Sequence, residues 1–147
     1  MRSWFVIVAI FLPAFASVVM RLLWWSPNEI VATHWGANGV ANGFSHTNPV
    51  WWSFFVAAIV AGLLGCVVLI IGERILALHR AIALGILAGI AAATPFWAHE
   101  LITTGAESAY VGSMLPFAAG IAWAILVFLI ANSLTGEGSV LPQRKSS

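Results

Sequence analysis

The chain has no aspartate, a single cysteine, and charged side chains at only 7% of its 147 positions. Each shortage removes a class of function. One cysteine, Cys66, cannot form an intrachain disulfide. Set between Gly65 and Val67 in an apolar run, it reads as a small packing residue rather than a reactive thiol. Without aspartate, a nucleophile motif or a phosphate-cradling glycine loop, spacing assembles no catalytic constellation, and the chain is not expected to be an enzyme. No tight H-x-x-x-H or H-E-x-x-H spacing occurs, so no metal or other cofactor is expected. The net charge is +1 and no run of lysine and arginine tracks a phosphate backbone, which argues against nucleic acid as a partner. There is no internal repeat and no low-complexity tract.

What is present is apolar. Hydrophobic residues make up 61% of the chain, and charged residues fall far below the roughly 25% of soluble domains. A soluble fold of this size leaves too much surface in water to hide such a composition; a bilayer removes the difficulty. Four runs reach the roughly 20 helical residues needed to cross a core of about 30 Å: 4–25, 51–72, 81–103 and 113–134. They must be helices, because lipid offers no partners to open backbone groups. Connections at 26–50, 73–80 and 104–112 join them, and a polar tail at 135–147 is expected to be disordered. The expected fold is all-α: one domain over 1–134, four transmembrane helices in an antiparallel bundle, with a small extracytoplasmic hairpin between the first two.

Arg2, Arg74, Arg80, Arg144 and Lys145 fall on one side of these spans, and the opposite connections carry no lysine or arginine. By the positive-inside rule both termini are cytoplasmic, and 26–50 and 104–112 face outward. Trp24, Trp25, Trp51 and Trp52 bracket the outer connection as an aromatic belt would. Ala14-Phe15-Ala16 before Ser17 resembles a signal-peptidase site, but the apolar run continues to Trp25, which suits an uncleaved anchor better.

Inside the spans, Pro13 and Pro95 should kink the first and third helices. Arg21 lies about one turn from the outer end of the first span, His99 and Glu100 about one turn from that of the third. Arg21 either snorkels to the interface or pairs with Glu100, and the three together can line an outward-facing polar pocket under the connecting loop. Gly85-x-x-x-Gly89 in the third span is a close-approach helix surface, either within the bundle or toward a second copy. Gly62, Gly65 and Cys66 form a small patch on the second span, and Gly120 with Ala124 a small ridge on the fourth, where Trp123 is expected to face neighbours or lipid. Thr47 or Asn48 can cap the second helix, and Pro49 suits its first turn.

The loop 26–50 is the one long polar interruption. Ile30 to Trp35 reads as an extended segment, Gly36-Ala37-Asn38-Gly39 as a turn, and Val40 to Phe44 as a return strand, with Trp35 and Phe44 turned toward apolar material. Pro27, Ile30, Thr33-His34-Trp35, Gly39 and Gly43-Phe44, lying between a first and a second span, resemble the outer motif of the domain of unknown function family 1648. That motif and its flanking spans cover about the first half of the chain. The family is similar to the N-terminal part of bacterial immunity proteins that protect a producer cell from its own secreted peptide toxin. The chain departs from the pattern at Val31, where proline is usual, at Asn42, where aspartate is usual, and at His46, where lysine is usual. The resemblance implies a bacterial cytoplasmic membrane location.

A recognition surface is therefore the leading expectation, with the lipid bilayer and an extracellular peptide or a partner membrane protein as its contacts. His34, Trp35, Gly39, Gly43, Phe44, Arg21, His99 and Glu100 are the candidate binding residues, His34 being the polar group that ties the hairpin to the bundle. A metal held by His34, His46 and Glu100, with Glu29 and Glu107 also outward, is a weaker alternative. Small-solute or ion transport is another. Polar groups at one end only, with no charge at mid-depth, would then require an oligomer. A structural accessory role completes the alternatives.

Overall fold

The computed structural model describes residues 3–26, 28–72, 76–104 and 114–136. Arg2, Arg74, Arg144 and Lys145, on which the orientation reading rests, lie outside the described residues, as do Pro27, Glu107 and the tail from 137. In chain order the elements are α1 (Ser3–Trp24), β1 (Ile30–Trp35), β2 (Ala41–His46), α2 (Thr47–Ile71), α3 (Ala77–Thr104) and α4 (Leu115–Gly136). All four helices are long and apolar enough to cross a membrane. Three start earlier than the apolar runs indicate, α1 by one residue at Ser3, and α2 and α3 by four at Thr47 and Ala77. Helical hydrogen bonding accepts polar residues at a terminus, whereas an apolar run stops at the first of them.

Helix α3 is the centre of the assembly. It packs against α1, α2 and α4, and 56% of its apolar window is buried within the protein, against 22–28% for the other three. The reason is composition: alanine and glycine dominate the third span, so neighbouring backbones come close. A Cβ added to Gly89 would lie 2.8 Å from the Gly120 carbonyl oxygen, and one on Gly120 would lie 2.9 Å from the Gly89 carbonyl oxygen. A Cβ on Gly85 would meet the Ala124 carbonyl oxygen at 2.9 Å. The Gly85–Gly89 ridge is thus occupied inside the chain, by the Gly120–Ala124 ridge of α4. On the other side, Gly62 and Gly65 of α2 receive the Phe11 ring and the Ile10 side chain of α1.

The core follows in three tiers. Val6, Ile10, Leu84, Ala88 and Val127 form one, Ala14, Ala58, Ala61 and Ala91 the middle, and Trp25, Val31, Val50, Trp51, Ala98 and Leu101 the third. Arg80 lies in the first turn of α3, with its aliphatic stem over Gly72. Ser17 is buried in the middle of an unbroken α1, so a cut after Ala16 would remove Val6, Ile10 and Ala14 from the core.

Both internal prolines lie inside continuous helices, and in each case the carbonyl that proline leaves without its donor has another. Pro13 has no N–H for the Ala9 carbonyl, four residues back. The indole Nε1 of Trp123, on α4, donates to that oxygen at 3.0 Å. Pro95 likewise leaves the Ala91 carbonyl, and the Thr94 hydroxyl donates to it at 2.8 Å. An apolar surrounding supplies no water, so neighbouring helices and hydroxyls have to satisfy such groups. Trp123 therefore does face a neighbour, and its indole is a hydrogen-bonding tie between α4 and α1.

Candidate functional site: the hairpin end of the helices

The hairpin forms where the sequence reading places it, with β2 reaching on to His46. Its strands pair antiparallel, Ile30 opposite His46, Val31 opposite Ser45, Ala32 opposite Phe44, His34 opposite Gly43 and Trp35 opposite Ala41. At the turn, the Gly39 N–H donates to the Gly36 carbonyl at 2.9 Å, and the Asn38 side chain accepts from the Val40 N–H at 3.2 Å. Gly39 has φ +75°, a conformation that only glycine adopts without strain. The ladder is irregular on both sides of His34, and Asn42 opposes no residue of β1. Gly43 is needed for a different reason: a Cβ there would lie 2.8 Å from the His34 Cβ.

His34 is not the tie to the bundle that the sequence reading expects. It is exposed, and its Nδ1 is hydrogen-bonded to Asn42 Oδ1 across the ladder irregularity. The pair lies wholly within the hairpin. The tie is made instead by apolar burial and by the loop base. Val31 and Ala32 are both buried, two in succession, which breaks strand alternation, and Trp35 packs part-buried against the same cluster. At the base, the Thr47 N–H donates to the Glu29 carbonyl at 2.8 Å and the Thr47 hydroxyl donates to the Ser26 carbonyl. Thr47 is fully buried and opens α2, and neither it nor Asn48 is the cap. The N-cap is His46, which makes no side-chain capping bond. Phe44, expected to face apolar material, is 53% exposed on the hairpin.

Arg21, in the last turn of α1, suits the negative end of that helix dipole. Its guanidinium turns onto α2. Nη2 donates to Asn48 Oδ1 at 2.7 Å, and the guanidinium carbon lies 4.9 Å from the centroid of the Trp51 ring, within cation–π range. Trp51 is stacked on Phe55 at 4.7 Å with an interplanar angle of 12°, and its indole N–H donates to the Ser17 carbonyl at 3.2 Å. Trp51 and Trp25 are consequently core residues and not members of a surface belt, whereas Trp52 is half exposed. Asn48 is the residue the sequence reading missed in this role. Its one signal is position, since a polar side chain in the first turn of a helix can reach the end of the preceding one.

His99 and Glu100 are part-buried on α3, and their neighbours Ala98, Leu101 and Ile102 join Trp25, Val31 and Trp51 in one apolar cluster. The structure thus brings residues from the hairpin-side ends of α1, α2 and α3 together with β1. Among the described residues no three histidine, cysteine, aspartate or glutamate side chains gather closely enough to hold a metal ion, so the His34, His46 and Glu100 set is not assembled. His34 and His46 lie toward opposite ends of the hairpin. Two crevices, of about 450 and 400 Å³, flank α3 and α4. Pro13, Pro95 and Trp123 line the first, Trp97 and Phe117 the second; neither is lined by Arg21, His99 or Glu100.

The Arg21–Asn48 bond predicts a measurable cost. Asn48→Leu leaves the guanidinium without its amide acceptor, and hydrogen bonds to charged groups contribute about 1.5–3 kcal/mol. A lowered thermal midpoint in detergent is expected, and Arg21→Met in the same background should recover most of it. Equal midpoints for wild type and Asn48→Leu would show that the bond contributes nothing.

Comparison with known proteins adds nothing to this geometry: no family model, no curated protein and no solved structure matches the chain.

Proposed function

We propose that the chain is an integral protein of the bacterial cytoplasmic membrane that binds rather than catalyses. In this reading the four helices form an antiparallel bundle with both termini cytoplasmic. The α1–α2 hairpin then stands outside the cell as a recognition surface for a peptide, as the resemblance to the immunity-like membrane family implies. The observation that carries the reading is the set of exposed apolar residues on the hairpin. Ile30, Val40 and Phe44 are large apolar side chains held more than half exposed on it, and the His34–Asn42 pair is exposed as well. Val31, Ala32, Trp35 and Thr47 fasten the hairpin to the helices. Apolar groups held exposed on a fixed frame lose little entropy on binding, which favours recognition. The link to peptide immunity is an analogy at the level of the family.

A strain lacking the protein should become sensitive to a secreted peptide that wild-type cells tolerate. Protein carrying Phe44→Ala should restore tolerance only in part, while Ile121→Ala, on the exposed face of α4, should restore it fully. Unchanged peptide sensitivity together with altered ion or solute flux in the deletion strain would replace this reading with transport.

A further inference from the structure

The hairpin has an open edge, and its hydrogen-bond register states which groups face it. In an antiparallel ladder, residue pairs alternate between those that exchange hydrogen bonds and those whose backbone groups point outward. The Thr47 N–H donates to the Glu29 carbonyl, which makes Glu29 and Thr47 a bonded pair. The alternation makes Val31 and Ser45 the next bonded pair, and leaves Ile30 opposite His46 and Ala32 opposite Phe44 as the non-bonded ones. Phe44 and His46 therefore direct their backbone groups away from β1. The His46 carbonyl accepts from the first turn of α2, because His46 is its N-cap. Three groups remain on the edge: the Phe44 N–H, the Phe44 C=O and the His46 N–H.

The two edges differ. On β1, Ala32 is fully buried and the strand packs against α3. On β2, Phe44 and His46 are exposed, and among the described residues no strand joins it. Edges resist pairing through lysine, proline, an inward charge or a bulge, and on β2 the irregularity of this ladder lies at Asn42, before the Phe44–His46 stretch. The Phe44–His46 stretch of β2 carries no lysine, arginine, proline or acidic side chain.

We propose that the β2 edge is a strand-addition site for an extended peptide, whose backbone pairs with Phe44 and His46 and whose alternate side chains lie on the Phe44 ring. Main-chain bonds supply affinity in this mode, and side-chain pockets supply selectivity. The proposal rests on the peptide-recognition reading and specifies how that recognition works.

His46 permits a clean test. Its φ of −71° is close to the fixed angle of proline, so His46→Pro removes the outward N–H without forcing the backbone. His46→Ala removes the imidazole and keeps the N–H. The full chain in lipid nanodiscs is titrated with a short synthetic peptide of alternating threonine and valine, capped by lysines. The same peptide, N-methylated along one edge, is the second probe. The expected result is an affinity within about twofold of wild type for His46→Ala, roughly five- to tenfold weaker for His46→Pro, and no binding of the N-methylated peptide. Equal loss in both variants, or equal binding of the two peptides by wild type, would overturn the proposal. So would a wild-type dimer that His46→Pro splits, since the edge would then be filled by a second copy. If His46→Pro lowers the thermal midpoint, the comparison of the two peptides on wild type still decides. In cells, full protection by His46→Pro where the deletion strain is sensitive rejects strand addition alone. A deletion strain sensitive to no peptide rejects the recognition reading instead.

Discussion

Replacing Gly89 by leucine is expected to lower stability markedly, where glycine replacement in a helix normally raises it. In an ordinary helix, glycine is about 1 kcal/mol worse than alanine, so filling the position should help. Here the sign reverses. The first added carbon already meets the Gly120 carbonyl oxygen at 2.8 Å and the Ala124 Cβ at 2.9 Å. The nearest obstacle is backbone, which moves only if α3 and α4 separate, and overpacking typically costs about 1–3 kcal/mol. Gly89→Ala should fall at the lower end of that range and Gly89→Leu at or beyond the upper. Ala122→Leu, directed into the 450 Å³ crevice beside α4, should stay within about 0.5 kcal/mol of wild type. Thermal unfolding in detergent measures all three. A Gly89→Leu protein as stable as Ala122→Leu would mean that α3 and α4 do not approach this closely.

The second large effect is at Trp123, and its size should depend on a residue of another helix. Trp123→Phe removes the N–H that satisfies the Ala9 carbonyl. A buried acceptor left unsatisfied costs about 1–3 kcal/mol. Pro13→Ala returns a backbone N–H to position 13, which can donate to that same carbonyl. The Trp123→Phe cost should therefore drop below about 1 kcal/mol in the Pro13→Ala background, a coupling within the range found for residues sharing a partner. The double-mutant cycle, measured as unfolding free energies in mixed micelles, isolates it. If Trp123→Phe costs the same with and without Pro13, the indole stabilises by packing and not by replacing the lost donor.

Some of the site was legible beforehand because the responsible physics is local. Gly39 adopts positive φ in a turn that its neighbours Gly36 and Asn38 already signal, and β1 was readable from Ile30 to Trp35. Arg21 was legible as a charge needing company, but not as a guanidinium over Trp51 with Asn48 as acceptor. No spacing rule connects positions 21 and 48, because that contact depends on how far the loop lets α2 fold back on α1. His34 was misassigned for a similar reason. A histidine near the membrane invites a partner on the helices, and the ladder irregularity that offers Asn42 instead has no sequence signal.

The hairpin and the two prolines mark the division. Sequence alone determined four apolar helices, because apolar length is a property of consecutive residues and the backbone must satisfy its own hydrogen bonds out of water. It also determined which residues are small enough for close contact. Only the tertiary structure decided that the Gly85–Gly89 ridge meets Gly120 and Ala124 within the chain, that Trp123 and Thr94 serve the carbonyls left by Pro13 and Pro95, and that among the described residues no strand pairs with the far edge of β2. Each of these joins residues far apart in the chain or depends on ladder register, and such pairings are set when whole elements dock.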